Sequence, residues 1–138
     1  MSIFQTISTE LKYIKFSLQL LKRVGKVDNN PMETVADLIE DQAKKNENKT
    51  AIEFEDKKYT YKELDEEANK VAHWAISKGF KKGDVVSLLM ENRPEFIFIW
   101  YGFAKIGGTV ACLNSNIKSK SLAHCIQTSK SKSIIVGS

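Results

Sequence analysis

Apolar residues between positions 3 and 26 recur at alternating steps of four and three, which is the spacing of one face of an α-helix. This stripe consists of Ile3, Ile7, Leu11, Ile14, Leu18 and Leu21. Lysines line one edge of the stripe, and Glu10 is the only acidic residue in the segment. The pattern therefore predicts a basic amphipathic helix over residues 3–26, within an N-terminal region 1–26.

Two interpretations of this helix are open. It could lie on a membrane surface, with the lysines at the headgroups and the aliphatic side chains below them. Alternatively it packs on its own domain or on a protein partner, as most amphipathic helices do. The terminal position, the nearly all-basic polar face and the wide apolar arc favour the membrane, so we expect residues 3–26 to contact a membrane surface.

A polar, proline-containing segment, VDNNPME at residues 27–33, predicts a linker between this helix and the remaining residues, 34–138. A short helix follows Thr34 and places a few apolar residues on one face. Two runs rich in β-branched and aromatic residues, TAIEFE and KKYTY, then flank Asp56. This arrangement predicts a β-hairpin.

The stretch from Tyr59 to Asn114 predicts a βαβαβ unit. Thr60 and Glu63 have the spacing of a capping box, which begins a helix that Gly79 would end. The apolar run VVSLLM predicts a strand covered on both faces, and TVACLN predicts another buried strand. Between them, Asn92 as the capping side chain and Pro94 as the first helical residue predict the start of a helix.

A further helical pattern, SLAHCIQTSK, and a last strand, SIIVG, follow the βαβαβ unit. Alternation of strands and helices implies right-handed crossovers and a parallel sheet. We predict an α/β fold: a partial parallel sheet of βαβ units, preceded by a β-hairpin and the N-terminal amphipathic helix. Because few strands are present, the sheet should have an open apolar edge, so we expect an incomplete domain.

Composition narrows the classes of molecule that this chain is expected to bind. The chain has 138 residues, of which 42% are hydrophobic and 28% charged, as in a globular domain or part of one. With 21 basic and 17 acidic residues the net charge is only +4, so no nucleic-acid partner is predicted. No run approaches the ~18 consecutive apolar residues of a membrane span, so membrane association is expected to be peripheral.

The glycine-rich stretch GFAKIGGT, residues 102–109, comes within one residue of a phosphate-binding P-loop pattern. It lacks the lysine, because Gly108 stands in that position, and it follows a predicted helix instead of a strand. Termination of a helix is the better interpretation.

Other groups of reactive side chains also lack the spacing that a metal site or an acid–base pair requires. Cys112, His124 and Cys125 do not make a zinc site, because neighbouring helical residues diverge by about 100° and no fourth ligand is present. Among the acidic residues, Glu95 has a structural role at a helix start, which leaves no carboxylate pair for acid–base catalysis. We therefore predict no catalytic residue and no metal ligand.

Polar residues follow the two predicted core strands. They are Glu91, Asn92 and Arg93 after the first strand, and Asn114, Ser115 and Asn116 after the second. In parallel α/β sheets, ligands bind beyond the carboxyl ends of the strands. These residues are the candidate ligand site, although polar residues after a strand are also ordinary loop residues.

With these motifs in order, the sequence resembles the N-terminal portion of the AMP-binding, adenylate-forming acyl-CoA synthetase superfamily. The landmarks are TYKEL, GDVV, the N-x-P-E-F turn and the passage from AKIGG to LN. MENRPEF, LNSNI, LAHCIQTS and VGS are most similar to the fatty acid transport protein and very-long-chain acyl-CoA synthetase branch. The resemblance extends over roughly Thr34 to Ser138.

The resemblance implies ATP-dependent activation of a long-chain or very-long-chain fatty acid, through an acyl adenylate, with transfer to coenzyme A and Mg²⁺ at the phosphates. It places Asn114, Ser115 and Asn116 at the coenzyme A entrance. It also implies association with an intracellular membrane, either the endoplasmic reticulum or the plasma membrane in a eukaryote.

The phosphate loop, the adenine-binding segment, the ribose-binding aspartate and the catalytic lysine of this family have no counterpart in the sequence. We therefore expect an N-terminal fragment of the ligase that is inactive alone and binds ATP, coenzyme A and Mg²⁺ weakly at most. The alternative is a small non-catalytic module that binds a membrane surface or a partner.

Overall fold

The computed structural model describes residues 11–22, 24 and 33–137, in two compact units, Met1–Thr34 and Val35–Ser138. In the first unit, residues 11–22 and 24 are helical and form α1. The other parts of the predicted helix over residues 3–26, and most of the predicted linker 27–33, lie outside the described residues.

The second unit contains four helices and five strands in the predicted order. They are α2 (Val35–Lys45), β1 (Thr50–Phe54), β2 (Lys57–Thr60), α3 (Tyr61–Ser77), β3 (Val85–Leu89), α4 (Pro94–Lys105), β4 (Thr109–Leu113), α5 (Ser119–Ser129) and β5 (Ser133–Val136). The hairpin and the βαβαβ unit are therefore confirmed.

The strands form two sheets. β1 and β2 pair antiparallel as a hairpin, whereas β3, β4 and β5 form a parallel sheet in the order β4-β3-β5. β3 is central, with Val86 opposite Val110 on one side and opposite Ser133 on the other. The α/β class with a parallel sheet and a preceding hairpin is therefore confirmed.

The prediction that TVACLN forms a buried strand was wrong, because no residue of β4 is fully buried. β3 has three fully buried residues in a row, Val86, Ser87 and Leu88, as expected for a central strand. β4 lies at one edge of the sheet, and its Cys112 is exposed. An apolar run indicates a strand, but its place in the sheet depends on which other strands pair with it.

Local sequence signals define both ends of α3 as predicted. The Thr60 side chain accepts a hydrogen bond from the Glu63 N–H at 3.2 Å, and the Thr60 N–H donates to the Glu63 carboxylate at 2.7 Å. At the other end Gly79 is left-handed, with φ of 79°, and the Phe80 N–H donates to the Ala75 carbonyl at 3.0 Å. This is the Schellman arrangement that glycine permits.

The start of α4 differs in one respect from the prediction. Pro94 is the first helical residue, as expected, but the N-cap is Arg93 and not Asn92. Arg93 makes no side-chain cap hydrogen bond, and its Nε instead donates to the Glu95 carboxylate at 2.9 Å. Because proline needs no N–H partner and fixes its own φ, the helix begins here without a capping side chain.

Helices α3 and α4 approach closely and share two apolar clusters. One cluster joins them to α2 through Ala36 and Tyr101, and the other packs Phe103 against Val86 of the sheet. The close approach is made at Gly102, where an added Cβ would lie 2.7 Å from the backbone oxygen of Ala68. The helical layer that covers the sheet therefore depends on a residue without a side chain.

Candidate functional site

The two polar loops predicted as a site come together beside the carboxyl ends of β3 and β4. A groove of about 520 Å³ is lined from both sides. Its lining is Met90, Glu91, Asn92, Phe96, Cys112, Leu113, Asn114, Ser115 and Asn116. Because parallel strands end at the same edge of a sheet, the loops that follow them become neighbours.

Two further grooves meet the same region. One, of about 580 Å³, extends past Arg93 and Ser115 to Val136 at the end of β5. The other, of about 360 Å³, is mostly apolar and lies between Phe54 of the hairpin and the first turn of α4. Asn92 lines all of these grooves, so this exposed side chain occupies the centre of the candidate site.

The loop after β4 is shaped by one of the predicted site residues. The Asn114 side-chain oxygen accepts a hydrogen bond from the Asn116 N–H at 2.9 Å, and the Asn114 carbonyl accepts from Ile117 at 3.3 Å. Such an Asx turn is a common use of asparagine after a strand. It leaves the exposed hydroxyl of Ser115 and the exposed amide of Asn116 at the groove.

At the start of α4 the positive charge of Arg93 is paired with the negative charge of Glu95. The hydrogen bond from Arg93 lowers the pKa of Glu95 most, and the backbone N–H of Glu95 itself lowers it further. The same contact raises the pKa of Arg93. This ion pair was not predicted, because residues two positions apart do not face each other on a helix.

The groove residues do not by themselves fit a magnesium site. Within the described ranges, no three His, Cys, Asp or Glu side chains come together as a metal-binding group. Glu91 is the only carboxylate residue lining the largest groove, and Mg²⁺ needs further oxygen ligands around it.

Among the described residues, no hydrogen bond joins a cysteine thiol to a histidine imidazole, so no nucleophile–base pair is formed there. Desolvation raises the pKa of Cys112, which keeps this thiol protonated and weakly nucleophilic at neutral pH. Both His73 and His124 are exposed on helices. The glycine-rich stretch 102–109 spans the end of α4, where the Gly108 N–H donates to the Phe103 carbonyl at 2.8 Å.

In the other unit, the described residues of α1 are exposed. They include eight large apolar side chains: Leu11, Tyr13, Ile14, Phe16, Leu18, Leu20, Leu21 and Val24. The charged residues described in α1 are Lys12, Lys15 and Lys22. None of the helices in the described part of the chain has the length and hydrophobicity that crossing a membrane would require.

The fold matches that of the N-terminal subdomain of adenylate-forming enzymes. The N-terminal subdomain of Klebsiella oxytoca NpsA, solved in complex with anthranilyl-AMSN, superposes with a TM-score of 0.73 over 75% of this chain and 27% of that chain. Its sequence identity of 24% establishes the shared fold only.

The chain belongs to the AMP-binding enzyme family, whose profile matches residues 39–138. It is 38% identical over 128 residues to long-chain fatty acid transport protein 6 of Mus musculus, covering 92% of this chain and 20% of the relative. A fatty acyl CoA synthetase of Mycobacterium tuberculosis superposes with a TM-score of 0.71 at 26% identity, over 79% of this chain and 22% of that chain. The chain thus spans about a fifth of the length of these relatives, and the predicted family is confirmed.

Proposed function

We propose that this protein takes part in the ATP-dependent activation of long-chain or very-long-chain fatty acids, through an acyl adenylate to an acyl-CoA. The observation that carries the proposal is the family match over residues 39–138, joined to 38% identity with a long-chain fatty acid transport protein. The superposition on a fatty acyl CoA synthetase supports the same substrate class.

In this proposal the chain supplies scaffold and the edge of a binding site. Asn114, Ser115 and Asn116 border the entrance for coenzyme A, whose thiol accepts the acyl group when it is bound. The support is geometric, because this loop and residues 91–93 line neighbouring grooves beyond the carboxyl ends of the strands. No step is assigned to Mg²⁺, since the described residues do not form a site for it.

The phosphate loop, the adenine-binding segment, the ribose-binding aspartate and the catalytic lysine that the family uses have no counterpart among these 138 residues, so we expect this chain to be inactive alone. The test is ATP–pyrophosphate exchange with long-chain fatty acids, on this chain and on a chimera. In the chimera, residues 39–138 replace the matching segment of the mouse transport protein 6, provided that the parent protein shows exchange in the same assay. We expect exchange by the chimera and none by the isolated chain.

Variants of the chimera test the coenzyme A entrance separately. Replacing Asn116 and Ser115 by alanine should raise the KM for coenzyme A in acyl-CoA formation and leave pyrophosphate exchange unchanged. Replacement of the exposed Lys120 by alanine is the matched control. A folded chimera that shows no exchange would contradict the proposed function, whereas an unchanged KM would contradict only the assigned entrance.

A second role, binding to an intracellular membrane surface, is favoured by α1. The eight exposed apolar side chains and three lysines, with no acid among residues 11–22, combine apolar area with positive charge. Lysines near an anionic lipid surface contribute about 1 kcal/mol each. Because no described helix is suited to span the bilayer, we propose a peripheral contact through residues 3–26.

Vesicle sedimentation tests this role without reference to catalysis. The chain should sediment with vesicles containing phosphatidylserine, and deletion of residues 1–26 should abolish sedimentation. A variant with Lys12, Lys15 and Lys22 changed to glutamine should show a smaller preference for anionic over neutral vesicles than the original chain. Sedimentation that survives the deletion would exclude α1 as the membrane contact.

A further inference from the structure

Helix α2 is held on the domain by little apolar burial. Ala36 is its only fully buried residue, and Ile39 packs partly against the same cluster. Val35 and Leu38 remain 48% and 45% exposed. Since stability from apolar burial scales with the area removed from water, the apolar attachment of α2 is weak.

Polar contacts with the end of α4 add to this attachment. Lys105 is only 8% exposed, and its Nζ lies 2.6 Å from the Glu40 carboxylate of α2 and 2.8 Å from the Asp65 carboxylate of α3. The same Nζ lies 5.0 Å from the centre of the Tyr101 ring. One cation therefore joins three helices, and we refer to these four residues as the Lys105 cluster.

Tyr101 adds a second contact between α4 and α2. Its hydroxyl is fully buried and donates to the Ala36 carbonyl, with an oxygen–oxygen distance of 3.0 Å. It also lies 3.3 Å from the Asp65 carboxylate. Burial, and then the charge of Asp65, raise the pKa of Tyr101, so the hydroxyl remains a donor at neutral pH.

The charged state of the Lys105 cluster is stable. Burial disfavours the charge on Lys105, but the hydrogen bonds with Asp65 and Glu40 outweigh it and raise the pKa of the lysine. Breaking one partner out of such a buried group leaves a charge without compensation, which is far more costly than losing a surface pair.

We propose that α2 is a detachable helix, which the Lys105 cluster holds closed and which opens as a unit while the parallel sheet stays folded. Few buried apolar contacts and a concentrated polar attachment are the features of segments that open locally. The second apolar cluster, around Val86 and Phe103, does not include α2 and would stay intact.

Opening would change how the domain is tethered. α2 is the first helix of the second unit, so the chain reaches the domain core through it. Release of its 11 residues, about 16 Å long if the helix persists, would leave β1 as the first element held on the domain.

Hydrogen exchange measured by mass spectrometry on the 138-residue chain tests this inference. Lys105→Met should accelerate exchange in peptides from α2 by roughly tenfold or more, equivalent to about 1.4 kcal/mol, with β3 peptides unchanged. Glu40→Gln removes the negative charge on the α2 side, keeps an oxygen that can accept a hydrogen bond from Lys105, and leaves Lys105 paired with Asp65. It should accelerate α2 exchange in the same direction by a smaller factor.

Lys70→Met is the matched control, because Lys70 forms an exposed ion pair with Glu67 inside α3 alone. It should leave exchange in α2 unchanged. If Lys105→Met unfolds the whole chain, hydrogen exchange of α2 in the Glu40→Gln variant becomes the test of the proposal. Wild-type exchange of α2 in Glu40→Gln, or equal acceleration of α2 and β3, would overturn the proposal.

Discussion

Substitution of Gly102 by alanine tests the contact on which the helical layer depends. The new Cβ would lie 2.7 Å from the Ala68 backbone oxygen and from both the Cβ and Cγ1 of Val71. The Ala68 oxygen is a backbone atom and the Val71 Cβ does not move with the rotamer, so a rotamer change could shift only the Val71 Cγ1 and cannot relieve the overlap. Helix α3 would have to move away from α4.

The magnitude follows from two opposing effects. Overpacking in a core costs about 1–3 kcal/mol, and more where backbone must shift. Exchange of glycine for alanine inside a helix stabilises it by about 1 kcal/mol. With a backbone atom in the overlap the upper part of the first range applies, so we expect a net loss of roughly 1–2 kcal/mol.

Thermal unfolding followed by circular dichroism at 222 nm measures this effect. For a domain of this size a loss of 1 kcal/mol lowers the Tm by about 4–8 °C, so a fall of roughly 4–15 °C is expected. The direction of the change in Tm is enough to decide, because without the overlap the higher helix propensity of alanine would raise the Tm. A Tm that is unchanged or higher would refute the close approach of α3 and α4 at Gly102.

Two further predictions concern the ends of elements. Thr60→Ala removes the side-chain half of the capping box and should cost about 1 kcal/mol, measured as a lower urea midpoint with an unchanged m-value. Asp84 has a lowered pKa, because the Lys81 N–H and then Lys132 bind its carboxylate. Its contribution is present above the ordinary aspartate pKa and disappears as the pH falls through the lower folded value. Asp84→Asn should therefore lower the urea midpoint at pH 7 and have little effect in strong acid, and an equal loss at both pH values would contradict this reasoning.

Features that depend on neighbouring residues were predictable from the sequence. The capping box of Thr60 and Glu63 and the glycine that ends α3 act within a single turn, so residue type and spacing define them. The meeting of residues 91–93 with 114–116 was also predictable, because parallel strands place successive loops at one edge. What these loops bind stays a prediction.

Features that depend on distant residues were not predictable. The exposed face of Cys112 follows from the strand order, which no run of apolar residues encodes. The prediction of Asn92 as the N-cap was wrong. The N-cap is Arg93, which pairs with Glu95 at a spacing of two residues that follows no regular helical pattern. Lys105 joins Glu40, 65 residues away in the sequence. Its only local signal was a lone cation in an otherwise apolar helix.

Helix α4 is nearly all apolar, and two of its residues hold the helices α3 and α2 in place. Its middle, at Gly102, brings α3 close enough to cover the sheet, and its final turn, at Lys105, holds α2 through charge. Close packing is rigid because displaced atoms have no space, whereas the buried charges of Lys105 and Glu40 could regain water only if α2 leaves as a whole. The helix therefore combines a fixed contact with the sheet-covering layer and a reversible one with α2. The carboxyl-edge grooves, which begin at the first turn of the same helix, belong to the fixed part, so opening of α2 would leave their lining in place.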